Sequence, residues 1–341
     1  MAAMRVWELV SPTGPDGLAL ASCPDPVLGP FDVRIRVHAV SLQFRDLLMI
    51  NGRYGRVSPG LVPCSDAGGE VVEVGPGVRS LAVGDRVTST FAPEWRAGGL
   101  TLAAAKSALG AGGPGALADT LVLPEHGVMP APAHLSHEEA ATLPCAALTA
   151  WHALFEEAPL PPGSTVLALG SGGVSVFALQ LATLAGAHVL VTTRTPSKAG
   201  RLRELGATEV VDIHEDPAWG DRVRRLAGGE GVDHVIEVGG HGTFDQSVRA
   251  VRPGGTISLI GVLAGPAAVN LTPVLMRNIR VQGVLVGSRE MFGRMNAAIA
   301  RHRLRPAIDR VFPFADAPAA FRHLERAVHV GKVVIALDPG A

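Results

Sequence analysis

Two groups of residues in this chain have the types and spacing to do recognisable chemistry. The first is Gly170–Ser171–Gly172–Gly173–Val174–Ser175, which follows the apolar run Thr165–Leu169 directly. It opens an apolar stretch at helical spacing, with Val174, Phe177, Ala178, Leu181 and Leu184 on one face. A strand that ends in such a turn and leads into a helix holds the pyrophosphate of a dinucleotide. Gly170 allows the turn, Gly172 and Gly173 keep side chains away from the phosphates, and the free N–H groups at the helix start attract their charge. Ser175 stands where a third Gly or Ala is usual.

The second group is Thr193, Arg194 and Lys198. About 20 residues past the glycines an NAD enzyme places a carboxylate that accepts from the ribose 2′-hydroxyl. Thr192–Thr193–Arg194 occupies that place instead. No carboxylate there repels a 2′-phosphate, and Arg194 and Lys198 can pair with one, so NADP(H) is expected in preference to NAD(H). The alternative is that both cations are solvated residues at a helix start.

The length of 341 residues exceeds what one hydrophobic core organises, so two domains are expected. Lys plus Arg total 30 against 31 Asp plus Glu, without a long run of one sign. That balance argues against nucleic acid or an anionic membrane as a partner and leaves small molecules. Cys23, Cys64 and Cys145 are odd in number, far apart and without a CxxC pair, which fits a reducing compartment. The first residues lack the apolar core of a signal peptide, and a cytoplasmic protein is expected. From Ser164 to Thr193 no Asp, Glu, Lys or Arg occurs, yet glycines, Gln180 and His188 interrupt the stretch. It reads as a βαβ unit buried on both sheet faces, not as a membrane span.

Residues 1–130 carry short alternating strands at Val33–Val40, Gly69–Val74 and Arg86–Thr90 between Gly/Pro turns, the pattern of a small barrel. Phe91–Leu117 is rich in Ala and Gly with little periodicity and reads as a long surface loop or lid. Ser136 and Glu139 form a capping box ahead of an apolar helix, near the start of the second domain. Strands and helices then alternate as in a doubly wound sheet: strands Val210–Asp212, Val232–Val238, Thr256–Gly261 and Arg280–Val286, and helices following Thr195, around Asp221–Ala227 and around Phe244–Val251. Val238 and Gly239, and Gly261 and Val262, end two of these strands, where the carboxyl edge of such a sheet meets its ligand. The tail from about Met295, ending Gly331–Lys332–Val333–Val334–Ile335, is again helix then strand.

Several of these stretches, taken in order, resemble the medium-chain dehydrogenase/reductase superfamily. They are Val40–Ser41–Leu42–Gln43–Phe44–Arg45–Asp46, Gly69–Gly75, Val83–Val87, Glu139–Pro144, the glycine turn and Gly331–Val334. The resemblance implies an α/β fold in which a Rossmann doubly wound parallel sheet is inserted into a GroES-like β-barrel catalytic domain. Residues 1–130 and 295–341 would form the catalytic domain and residues 131–294 the Rossmann dinucleotide-binding domain. It also implies an active site in the cleft and a homodimer joined through edge strands near Arg280–Val286.

The zinc alcohol dehydrogenases of that superfamily hold a catalytic ion with Cys, His and Cys. The matching positions here are Gln43, Ser65 and Cys145, and the structural-zinc region within Phe91–Leu117 has no Cys. No zinc is therefore expected; Cys64, Asp66 and Cys145 improvising a site is the alternative, and the plain reading of the two cysteines is small buried apolar residues. The Ser-Leu-Gln-x-Arg-Asp pattern is similar to the quinone-oxidoreductase and enoyl-reductase branches. Lys198 lies near the Lys that serves enoyl reductases as a proton donor, while their Asp is unmatched around Ala218. Ile213 stands where quinone reductases often carry a Tyr over the adenosine.

The resemblance implies that Gln43, Arg45 and Tyr54 face the substrate, with hydrogen-bond donors carrying the load a metal would otherwise take. Arg45 with Asp46 as a structural ion pair is the competing reading. The resemblance also brings Thr149 toward the nicotinamide and the backbone of Val286, Gly287 and Ser288 toward its carboxamide. The expected function is zinc-independent, NADPH-dependent hydride transfer to a quinone or an α,β-unsaturated carbonyl. The alternatives are a zinc-dependent alcohol dehydrogenase and a nucleotide-binding protein without turnover on the same fold. The histidines, among them His134, His137, His323 and His329, are read as bystanders.

Overall fold

The computed structural model describes residues 3–337 apart from Arg56, Val262, Ala264 and Pro266, so Val262 lies outside the described residues. The chain divides into two compact units: one holds everything up to Leu148 and from Gly287 onward, the other is Thr149–Val286. The first crossing falls later than the composition of the sequence suggests. The capped helix His137–Ala141 packs on the strand Asp66–Val74, where a Cβ on Gly68 would stand 2.4 Å from the His137 carbonyl oxygen. That stretch therefore belongs to the first unit.

The first unit is built on a seven-stranded sheet whose central strands are Asp32–Ser41 and Asp66–Val74, paired antiparallel. Valines and isoleucines at alternate positions, Val33, Ile35 and Val37, face a core shared with Leu42, Leu47, Leu121 and Phe321. The last strand, Lys332–Ala336, returns and pairs antiparallel with Asp32–Ser41, Val334 opposite Ser41. Residues near the two chain ends thus meet in one sheet. Phe91–Leu117 departs from the expected surface loop: Phe91, Trp95, Leu109 and Leu117 are buried, Leu102–Lys106 is a short helix capped by Thr101, and Leu109 N–H donates to the Phe91 carbonyl at 2.9 Å. Its apolar residues are too widely spaced for a periodic pattern, but they fill the core.

The second unit is a six-stranded sheet, parallel throughout, in the spatial order Glu209–Asp212, His188–Thr193, Thr165–Leu169, Val232–Glu237, Val251–Leu259, Arg280–Gly283. Chain order reverses at Thr165–Leu169, the switch point at which a Rossmann sheet opens a ligand crevice beyond its carboxyl edge. Leu167, Leu190, Val211, Val235 and Ile257 pack against Trp219, Val223, Phe244 and Val248 of the crossover helices. Arg280–Gly283 ends three residues before the expected strand does, and Val286, the expected last residue, adopts φ +44°, outside the extended region. The helix after Thr195 begins with a tight 3-10 turn, Pro196–Lys198, and the Thr195 side chain does not cap it. Among the described residues no helix is long and apolar enough to cross a membrane.

Candidate functional site

The nucleotide cradle lies at the carboxyl end of the central strand of the second unit. Gly170 holds φ +77°, a left-handed conformation that a side chain would strain. A Cβ placed on Gly170 or Gly172 would meet no protein atom within 4 Å, so the space a phosphate needs is open. The helix Gly173–Leu184 runs for 12 residues, and no side chain caps its start. Its first N–H groups lack intrahelical partners and point out of the turn with the positive end of the helix dipole. Ser175, the departure from the usual glycine pattern, is buried and donates its hydroxyl to the Leu169 carbonyl at 2.6 Å. It ties strand to helix where a third glycine would only allow close packing.

Beside this turn the structure brings Lys198, buried, with Nζ donating to Ser171 Oγ at 3.0 Å. Lys198 is therefore not a solvated residue of a helix start. Arg194 is exposed at the end of the strand His188–Thr193. Thr193 spends its hydroxyl locally, accepting from Thr195 N–H at 3.0 Å and donating to the Thr195 carbonyl at 3.1 Å. The residues fit a pyridine dinucleotide: an open glycine turn, a helix start without a side-chain cap, a buried ammonium and an exposed guanidinium nearby.

Further along the same edge, Val238 and Gly239 follow a buried carboxylate absent from the sequence expectation. Glu237 accepts from Gly239 N–H at 2.7 Å, Gly240 N–H at 3.1 Å, Thr243 hydroxyl at 2.6 Å and Ser247 hydroxyl at 2.5 Å. These bonds fix the loop after the strand. An acidic residue inside the expected strand Val232–Val238, one residue ahead of Gly239 and Gly240, was its signal. Gly261 sits where a Cβ would come 2.0 Å from the Val238 carbonyl oxygen, so only glycine lets the two strand ends approach. Thr149 is buried, and the helical stretch around it includes π-helical turns at Leu143–Ala147 and His152–Glu156, a form often found at functional positions.

In the first unit the residues at the would-be metal positions form a network of their own. Asp66 is fully buried and accepts from Gln43 Nε2 at 2.6 Å, Ser65 Oγ at 2.6 Å and Cys145 N–H at 3.0 Å. Asp46, equally buried, accepts from Gln43 N–H at 2.8 Å and so caps the helix Phe44–Ile50. Lys332 is the buried cation among these carboxylates, its Nζ donating to the Leu42 carbonyl at 2.5 Å. The Arg45–Asp46 ion pair of the competing reading does not form. Neighbours on a helix face different ways, and Arg45 instead donates to the Leu109 carbonyl at 3.0 Å and lies over the rings of Phe91 and Tyr54, 4.7 and 5.6 Å from their centroids.

This donor set does not fit a zinc ion. Gln43 turns an N–H, not a lone pair, into the centre, and Ser65 uses its hydroxyl on Asp66, so neither offers an electron pair to a metal. Cys64 is fully buried, with φ +73°.

Arg45 and Tyr54 are thus brought together, and Gln43 is committed to Asp66. Buried Nε and Nη1 of Arg45 have no hydrogen-bond partner, and neither does the half-exposed Tyr54 hydroxyl among the described residues. Ser288 is fully buried and accepts from Met291 N–H at 3.2 Å, which makes its side chain the cap of helix Arg289–His302. Gly287 packs where a Cβ would stand 2.9 Å from Leu148 Cγ.

Burial pushes the Asp66 carboxyl up to about 6, and the charge of Asp46 adds to this, while Lys332 and the bonds from Ser65 and Cys145 N–H oppose it. A carboxyl raised in the folded state binds its proton more tightly there than in the unfolded chain. Stability then falls as pH rises from about 4 to about 6, by on the order of 3 kcal/mol. Asp66→Asn keeps an acceptor toward Gln43 and Cys145 and can donate to Ser65. Urea unfolding at a series of pH values should show this fall shrink in the variant; an unchanged pH profile contradicts the assignment.

The alcohol dehydrogenase GroES-like domain model matches residues 29–133 and the zinc-binding dehydrogenase model residues 173–301. A zinc-type alcohol dehydrogenase-like protein of Schizosaccharomyces pombe is 40% identical over 91% of this chain and 92% of its own. Crotonyl-CoA reductase of Streptomyces avermitilis is 28% identical over 94% of this chain and 82% of its own. A solved structure from Sinorhizobium meliloti with a provisional alcohol dehydrogenase name superposes with TM-score 0.92 at 40% identity, covering 98% of this chain and 99% of that one. The quinone oxidoreductase of Coxiella burnetii does so with TM-score 0.81 at 26% identity, covering 99% and 100%. With a Rossmann sheet, a GroES-like domain and relatives that match along most of both chains, this protein belongs to the medium-chain dehydrogenase/reductase superfamily of oxidoreductases.

Proposed function

We propose that this oxidoreductase reduces a quinone or an α,β-unsaturated carbonyl with NADPH and needs no metal ion. The observation that carries the metal-independent reading is the Asp66 network: Gln43 and Ser65, at the ligand positions, both donate hydrogen bonds to a buried carboxylate. The named activities of the crotonyl-CoA reductase and quinone oxidoreductase relatives supply the substrate class. When bound, reduced nicotinamide supplies the hydride. The chain's own part is to hold the phosphates at the glycine turn, beside Lys198, and to steady the oxygen on which negative charge develops. Arg45 is suited to the second task as a fixed positive charge, its guanidinium held over Phe91 and Tyr54. The exposed Tyr54 hydroxyl is the donor with spare capacity. Gln43 acts one step back, holding Asp66.

A homodimer belongs to the same proposal. The strand Arg280–Gly283 closes one edge of the parallel sheet, and Leu271, Leu275, Met276, Val281 and Leu285 around it are exposed. An apolar sheet edge of this kind suits pairing with a second copy about a two-fold axis. None of Cys23, Cys64 and Cys145 is in a disulfide, in keeping with the proposed cytoplasmic setting.

Mixing the protein with NADPH and a panel of quinones and enones should lower the nicotinamide absorbance with at least one of them; a flat signal across the panel contradicts the proposal. Arg194→Ala should raise KM for NADPH by about tenfold or more, the worth of a charged phosphate contact, and leave that for NADH unchanged. Light scattering should give a dimer for the native chain and a monomer for Val281→Lys, and a native monomer would remove the interface reading.

A further inference from the structure

Val286 is buried and has φ +44°, a conformation that a β-branched residue rarely adopts and holds only when its surroundings impose it. The structure shows what imposes it. The Val286 carbonyl accepts a hydrogen bond from His152 Nδ1 at 2.7 Å, and the buried imidazole is braced on its other side by Glu157, whose Oε1 lies 3.1 Å from Nε2. A carbonyl can only accept, so the clamp on Val286 uses a proton on Nδ1; a carboxylate likewise only accepts, so Nε2 meets Glu157 through an N–H of its own. His152 opens a π-helical turn, His152–Glu156, which widens the helix at that point.

The position of Val286 gives this clamp a consequence. Along the carboxyl edge of the parallel sheet the order is Arg194, the glycine turn, Val238 with Gly239, Gly261, and then the chain leaving Arg280–Gly283 toward Val286. A dinucleotide whose 2′-phosphate is drawn to Arg194 and whose pyrophosphate sits at the glycine turn must lay its other half across the ends of the remaining strands. Three strand spacings, about 14 Å, separate the central strand from the last. The peptide that follows Val286 is planar and trans, so a carbonyl turned toward His152 turns the next N–H, that of Gly287, the opposite way. That N–H has no hydrogen-bond partner among the described residues.

We propose that His152 is a positioning residue for the nicotinamide half of the cofactor: by clamping the Val286 carbonyl it holds that residue left-handed and aims the following N–H at the carboxamide. The inference rests on the dinucleotide reading given above. It assigns a role to a buried histidine that touches neither substrate nor cofactor.

The test is a pair of titrations on the full chain, one with NADPH and one with 2′-phospho-ADP-ribose, which keeps the adenosine half and lacks the nicotinamide. His152→Phe should weaken NADPH about tenfold, the loss expected for one hydrogen bond that also held a strained backbone, and leave 2′-phospho-ADP-ribose unchanged. Adding Val286→Gly should recover part of the NADPH affinity, because glycine takes a positive φ without a clamp. His152→Gln, which keeps an N–H donor at that position, should fall between His152→Phe and the native chain, and carries the test if the Phe variant does not fold. Equal weakening of both ligands, no weakening of either, or no recovery on adding Val286→Gly overturns the proposal. If the native chain binds neither ligand, it is the dinucleotide reading that fails.

Discussion

A carboxylate taken out of water must be met by donors and by opposite charge, and Asp66 determines how its surroundings in the first unit are arranged. An isolated buried charge would cost several kcal/mol, on the order of the whole stability of a domain. Here its oxygens receive Gln43, Ser65 and the Cys145 amide, and Lys332 supplies the positive charge. Each of these sits on a different part of the chain. Gln43 precedes the helix Phe44–Ile50, Ser65 leads into a central strand, Cys145 lies in a π-helical turn, and Lys332 opens the returning strand. One buried charge thus explains why those elements converge where they do. In the proposed reading, a centre filled by amide and hydroxyl donors leaves polarisation of a substrate to Arg45 and Tyr54.

The second unit instead leaves space open for a ligand. The glycine turn keeps an empty space in front of the helix Gly173–Leu184, and Lys198 bonds Ser171 beside it. Around that opening the backbone is fixed from behind. Glu237 uses four donors to hold the loop after its strand, and His152 holds Val286 in a conformation the residue would not choose. Rigid loops around an open cradle place a ligand within the small tolerance that hydride transfer requires.

Much of this was legible in the sequence because the signals are local. An apolar strand running into Gly170–Gly173, the Ser136–Glu139 capping box and the alternation of Val33–Val40 each depend on residues a few positions apart, and each appears in the structure. The order of motifs along the chain carried the family. The remaining features depend on contacts between distant segments. Lys332 needed the returning strand, and His152 needed a backbone angle more than 130 positions away, at Val286. Phe91–Leu117 was misread as a surface loop for a related reason, since its buried Trp95 and Leu109 pack without the periodicity that betrays a helix or strand. The Arg45–Asp46 pair failed on helical geometry alone.

The claim at the centre is that side chains, not an ion, hold the charge around Asp66 while hydride is transferred. Metal content and turnover measured on one sample test it most directly, with NADPH and an accepted quinone or enone as substrates. The account predicts an undiminished rate at far less than one metal ion per chain, unchanged by a chelator and by added zinc. A rate that rises in proportion to bound zinc would contradict it.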